Sequence, residues 1–352
     1  MLRLVKRENI DKGTNIRIRL LFLFFSFIAI SIFLLILNYN PIEVFRGMLS
    51  GAFNTSYRIK QTIITAIPLI ITSIGISIAF KMKYWNIGGE GQILIGAFGA
   101  ALIALNFPDM YKPLLLTVMF ITAVILGGFW AVISGILKVY FNTNETIITL
   151  MLNYIALKFI TYLQYGPWKD KKAMGFPKIP NFSDNAILPS IGGIHIGLII
   201  ALIIVVIGYL FMKHSKMGYE ITVLGESKNT ARYAGIRINK TILTAVFLSG
   251  ALCGLTGFIQ SSAVSQTLSI EVAGGVGYTA IIIAWLSNLS EPLMLLVSIL
   301  FAALLQGSSY IQTAAGIPKS VALILQAFIL FFILGSELFV KYKIAANERR
   351  AA

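Results

Sequence analysis

Apolar runs alternate with short polar connections along the whole chain. The runs lie near 20–37, 61–80, 91–107, 113–137, 146–164, 194–212, 241–260, 276–290, 292–311 and 319–338. Most reach the roughly 20 residues that a helix needs to cross about 30 Å of hydrocarbon. The pattern predicts an all-α, polytopic membrane protein with about ten transmembrane helices, in one domain covering 1–352. The first run follows a basic stretch, as a signal peptide would. It reaches spanning length, however, and leads into Asn38-Tyr-Asn-Pro41 without a small-residue cleavage site, so it is expected to be a retained helix.

Composition agrees with that pattern: 57% of residues are hydrophobic and 12% charged, with a mean hydropathy of +0.83, which excludes a water-soluble domain. The formal net charge of +15 would suit a nucleic-acid partner only if the cations formed a face. They punctuate the apolar runs instead, so no nucleic acid is expected. The single cysteine, Cys253, lies inside a run and supports neither a disulfide framework nor a thiolate metal site. No metal or cofactor is expected.

Basic residues set the orientation, because cytoplasmic loops carry an excess of Lys and Arg. With the N-terminus inside, 19 of the 29 basic residues fall in cytoplasmic segments, six of them between Lys213 and Lys240. Four of the remaining ten share one long outer loop, 165–193, which weighs little in such a count. Both termini are therefore expected in the cytoplasm. Rich in Pro and Gly, the 165–193 loop can be an interfacial connection or a docking surface for an outside protein.

One stretch departs from the apolar pattern. Lys81-Met-Lys-Tyr-Trp-Asn-Ile-Gly-Gly-Glu-Gly-Gln92 places three glycines, a carboxylate and two amides between two apolar runs. Its Gly88-Gly89-Glu90-Gly91 has a second copy, Gly274-Gly275-Val276-Gly277, five runs later. An odd offset reverses orientation, so the two copies suit inverted-topology repeats, about 20–164 and 194–338, whose glycine-interrupted segments flank a translocation pathway. Close helix packing through small residues is the alternative.

Three segments carry a family resemblance. Asn86–Gln92 followed by "ILIGAFGA" is similar to membrane subunits of ABC importers in the branched-chain amino acid, simple sugar and nucleoside group. Gly218–Gly257, "GYEITVLGESKNTARYAGIRINKTILTAVFLSGALCGLTG", resembles that family's large cytoplasmic loop and following helix. Asn142–Ala156, "NTNETIITLMLNYIA", is similar to the nucleoside-importing branch, although Thr146 stands where a valine-flanked version is common. The resemblance implies an alternating-access permease in a bacterial cell membrane, paired with a second permease subunit, self or paralogue. It further implies ATP-binding cassette subunits inside and a substrate-binding protein outside, possibly a lipoprotein. Nucleosides, purine nucleosides foremost, are the implied cargo, with a simple sugar such as ribose as the alternative.

No phosphate-wrapping loop occurs; the nearest stretch, Gly316-Ile-Pro-Lys-Ser320, lacks one. ATP hydrolysis is therefore expected in a separate subunit, and the chain is not expected to be an enzyme. The 213–240 segment, read with the resemblance, supplies the coupling handle: a short amphipathic helix carrying Gly218, Glu220, Leu224, Gly225, Glu226, Asn229, Arg232, Tyr233 and Gly235, with its apolar residues set against a partner's groove. Candidate pathway residues are Asn86, Gly88, Gly89, Glu90, Gly91, Gln92, Asn144, Glu145, Asn153, Gly274, Gly275 and Gly277.

Glu90 and Glu145 could gate a pore or bind a hydroxylated solute, or could cap helices, with Asn144 suited to an N-cap. A membrane-embedded protease is disfavoured: His195 and His214 are isolated, and all four aspartates lie outside the runs. An ion-coupled transporter would share broken helices but would need coupling carboxylates inside the spans and no long 213–240 loop.

Overall fold

The computed structural model describes residues 2–6, 12–171, 173–314 and 316–346. In chain order the helices are α1 (Lys12–Ile36), α2 (Pro41–Phe53), α3 (Ser56–Lys81), α4 (Gly89–Asn106), α5 (Lys112–Phe141), α6 (Glu145–Tyr165) and α7 (Gly197–His214). They continue with α8 (Lys216–Glu226), α9 (Lys228–Tyr233), α10 (Ile238–Ile259), α11 (Val276–Leu286), α12 (Glu291–Ala314) and α13 (Lys319–Lys341). A 3-10 turn at Asp184–Ala186, a π-helical turn at Gln260–Ser265 that continues α10, and four short strands, β1 (Leu2–Lys6), β2 (Ser190–Ile191), β3 (Ile194–His195) and β4 (Tyr342–Ala346), complete the set among the described residues. Among the described residues, nine helices are long and apolar enough to cross a membrane, and the protein is an all-α polytopic membrane protein.

Two differences from the apolar pattern matter. The run at 276–290 is an eleven-residue helix, α11, too short to span. It begins only after Gly274 and Gly275, whose φ values of 54° and 81° lie in the left-handed region. The polar connection at 38–60 contains α2, started by the Asn40 side chain accepting the Ile42 N–H at 3.1 Å and by Pro41 in the first turn. Its buried residues Val44, Met48 and Ala52 recur every four positions, so this amphipathic helix is too short to register as a span.

The chain divides into two compact units. The first, residues 1–61 and 303–352, packs α1 on α13 around Ile30, Leu34, Met48, Ile311, Leu325 and Ile329. Within it, β1 pairs antiparallel with β4, Leu2 opposite Ala346 and Lys6 opposite Tyr342.

The second unit, residues 62–302, is built on mutual packing of α4, α5 and α10. These helices approach closely at Gly254, where a methyl on Gly127 of α5 would lie 2.6 Å from the Gly254 Cα. With hydrocarbon on both sides of a helix interface the hydrophobic effect is weak, so close backbone contact and dispersion hold such helices together. Over one end of α10 lies the 165–193 segment, with Ile179, Phe182, Ala186 and Leu188 buried. The Phe182 N–H donates to the Gln266 carbonyl at 2.8 Å, and the Lys112 ammonium to the Asp184 carbonyl at 3.0 Å.

Candidate functional site: two broken helices meeting at their N-termini

After α3 the chain runs through residues 82–88 without helix, then starts α4 at Gly89. Asn86, fully buried, organises this segment. Its carboxamide oxygen accepts the Gly88 N–H and the Gln92 side chain, both at 3.0 Å, while its nitrogen donates to Ser249 Oγ of α10 at 3.0 Å. Asn153 of α6 completes the bracing, accepting the Gly91 N–H at 2.8 Å and donating to the Ile87 carbonyl at 2.9 Å. A methyl on Gly91 would lie 2.8 Å from that same Asn153 oxygen, so only glycine allows the contact. Side-chain amides thus satisfy backbone groups that the helix start leaves open, as burial away from water requires.

The second break mirrors the first. Residues 266–275 are irregular, held where the Ile270 N–H donates to Gln164 of α6 at 3.3 Å. Then α11 begins, its first turn lacking a side-chain cap of its own. Glu90 supplies one from α4: its two carboxylate oxygens accept the Gly275 and Gly277 N–H groups, each at 2.8 Å. The Cα of Gly277 faces Gly89, where a methyl on Gly89 would lie 3.5 Å from it. Two positive helix ends therefore meet, and one carboxylate sits between them, the charge that their dipoles favour. Among the described residues no neighbouring atom lies within 4 Å of a methyl placed on Gly275, so open space adjoins the contact.

Depth follows from helix rise. Asn153 lies eight residues after Glu145, and Gly277 eight before Trp285, about 12 Å in each case. At the Glu145 level, Lys138 of α5 and Glu145 pair at 2.8 Å. At the Trp285 level, the Trp85 and Trp285 indoles stack with centroids 5.3 Å apart and planes 16° apart, beside a Lys81–Glu291 pair at 2.6 Å. The meeting point is buried, about 12 Å along each helix from these two marks.

Of the expected pathway residues, the fold brings together Asn86, Gly88, Gly89, Glu90, Gly91, Gln92, Asn153, Gly274, Gly275 and Gly277. Asn144 and Glu145 are not at that contact. Asn144 caps α6, its side chain accepting the Thr146 N–H at 3.0 Å, and Glu145 is held by Lys138 at the α5–α6 turn. Tyr278, whose hydroxyl lies 3.4 Å from the Asn153 amide, and the Trp85–Trp285 stack were not singled out from the sequence. Trp85 stands three residues before the first glycine copy and Tyr278 directly after the second, whereas Trp285 lies too far along α11 to carry a local signal.

The expected coupling segment holds two short helices rather than one. Leu224 does not face outward: it is 5% exposed and packs with Ile78, Ala79, Met82 and Tyr84. Gly225 lies against the Lys81 carbonyl, and a methyl on Gly218 would meet the Phe211 carbonyl at 2.5 Å. Glu220 accepts the Thr241 hydroxyl at 3.0 Å, tying α8 to α10. The outward set is Tyr219, Glu226, Asn229, Arg232, Gly235 and Tyr233, the last 93% exposed. An apolar residue one turn from a core position is indistinguishable by type from one that faces a partner, which is why Leu224 misled.

Helices that start at glycine-rich breaks inside a polytopic bundle are a feature of membrane transport proteins. Residues 58–334 match the family described as branched-chain amino acid transport system, permease component. A glucose ABC transporter permease protein of Haloferax volcanii is 31% identical over 90% of this chain and 87% of its own length. A nucleoside ABC transporter permease protein of Lactococcus lactis is 30% identical, covering 85% of each chain. For a guanosine ABC transporter permease protein of Bacillus subtilis the identity is 29%, over 86% of this chain and 88% of that one. The chain belongs to this family of ABC transporter permeases and is a multi-pass membrane permease subunit with a transport role.

Proposed function

We propose that the chain moves nucleosides, purine nucleosides first, into the cytoplasm by alternating access, with the contact of Glu90 on Gly275 and Gly277 as a closure point of its pathway. That contact is the observation carrying the reading. It joins the two glycine copies through residues 185 and 187 positions apart, with one carboxylate serving both N–H groups at the start of α11. In a pathway that opens, the same carboxylate and amides become free acceptor and donors for a solute rich in hydroxyls.

The cargo assignment leans on relatives named for nucleosides and guanosine, together with the Asn142–Ala156 stretch. A simple sugar is the second reading, favoured by the relative named for glucose. Both cargoes offer ring hydroxyls to the same groups.

Energy comes from ATP-binding cassette subunits docked on the exposed face of α8 and α9, because the chain carries no nucleotide-binding loop. A substrate-binding protein docks outside and a second permease subunit completes the pathway. Pairing of β1 with β4 supports placing both termini on one side, the cytoplasmic one by charge. The deciding experiment is uptake in proteoliposomes holding the permease, its ATPase subunits and its binding protein. Guanosine or inosine should accumulate only with ATP. Uptake of glucose or ribose in preference would make it a sugar permease, and uptake driven by an ion gradient without ATPase would refute the ABC reading.

A further inference from the structure

A cavity of about 620 Å³ opens between the end of α5, helix α9 and the start of α10. Lys138, Lys228, Arg232, Arg237, Asn239 and Lys240 line it, and among the described residues no aspartate or glutamate does. Lys138 is paired with Glu145. Among the described residues, Lys228, Arg232, Arg237 and Lys240 belong to no ion pair. Arg237 stands at the N-cap of the 22-residue α10 and gives that helix no side-chain cap, so the positive end of α10 adds to the cationic wall. Four unpaired cations drawn around one cleft repel one another unless an anion joins them.

The depth of the cleft identifies the anion. Lys138 lies in the last turn of α5, next to Tyr140 and Phe141, both exposed. Exposed aromatics at the end of a spanning helix sit at headgroup level, facing lipid. We propose that this cleft binds the phosphodiester of an anionic phospholipid, whose chains lie along α5 while its phosphate takes Arg237, Lys240 and Arg232. The cytoplasmic leaflet is implied only through the orientation proposed above; the chemistry of the cleft does not depend on it. Bidentate guanidinium forks suit phosphate oxygens, and a lysine adds charge without fixing geometry. Bound there, a lipid would brace α9 against α10, the segment proposed to meet the ATPase.

The test is native mass spectrometry of the full-length permease purified in detergent, titrated with phosphatidylglycerol or phosphatidylcholine. Detergent removes sidedness, and no cargo is involved, so failure here and failure of the transport reading are separate results. Phosphatidylglycerol should be retained in preference. The double variant Arg237→Gln/Lys240→Gln should weaken retention about 25-fold, about fivefold for each basic residue lost near an anionic surface. Lys169→Gln/Lys171→Gln, in the outer segment, should retain lipid as the parent does. Equal retention by the parent and the Arg237/Lys240 variant overturns the proposal. So does displacement of lipid by millimolar inorganic phosphate, which would mark a site for a free anion. Unchanged lipid retention with lost ATPase association would make the cleft a protein contact instead.

Discussion

The Glu90 carboxylate accepts the Gly277 N–H at 2.8 Å, although 187 residues separate the two. The first glycine copy thereby caps the helix that the second copy opens. A helix start inside a bilayer has no water to satisfy its N–H groups, so a carboxylate from the other copy is a stringent solution to a costly problem.

Glu90→Gln keeps the size of the side chain but replaces one acceptor oxygen with a donor, which opposes a backbone N–H. Charge-assisted bonds of this kind contribute about 1.5–3 kcal/mol, so uptake should fall at least about tenfold, with membrane insertion retained. Uptake rates normalised to permease in the membrane check this; unchanged uptake removes Glu90 from the mechanism.

Gly277→Ala and Gly275→Ala should fail differently. A methyl at Gly277 meets the Glu90 backbone directly, whereas at Gly275 it meets open space and only the φ of 81° opposes it. Left-handed backbone costs a residue with a Cβ about 1–2 kcal/mol. Thermal unfolding in detergent should show a modest loss for Gly275→Ala and a much larger one, or no folded protein, for Gly277→Ala.

Tyr233→Asp tests the coupling face without touching the core. Exposed as Tyr233 is, the variant should fold with an unchanged melting temperature and lose ATPase co-purification and uptake. Leu224→Asp instead buries an unpaired charge against Ile78 and Met82 and should destabilise the permease by several kcal/mol. Normal co-purification of the Tyr233 variant would leave α9 a connection and nothing more.

Orientation is checked by single cysteines. Cys253 is buried, so in a Cys253→Ser background an impermeant thiol reagent applied to intact cells should label a cysteine at Lys171 and spare one at Lys216 or Arg232. The reverse pattern would invert the topology.

His195, on β3 beside Gly197, is buried, and among the described residues neither ring nitrogen has a hydrogen-bond partner. Desolvation lowers its pKa below the ordinary histidine value. The unfolded chain therefore binds the proton more readily than the folded one. Stability on this account is level above about pH 6.5 and falls as pH drops below it toward the folded pKa. Melting temperatures from pH 7.5 to 5 should show this slope, and His195→Phe should flatten it; an identical slope in both places the acid sensitivity elsewhere.

Much of this protein was legible along the chain. Nine of the ten expected apolar runs are helices long enough to span among the described residues; these, the cap at Asn144 and the existence of two glycine copies follow from apolar length, local polarity and backbone freedom, which are properties of neighbours in sequence. The tertiary structure alone decided which glycine copy meets which, because Glu90, Asn153 and Tyr278 come from helices whose contacts depend on packing rather than on residue type. It also turned Leu224 inward and Tyr233 outward, joined Trp85 to Trp285, and shortened the 276–290 run to α11. An apolar side chain suits lipid, core and partner equally well, so hydropathy places it in a membrane but cannot assign it a neighbour; that choice is made when the helices pack.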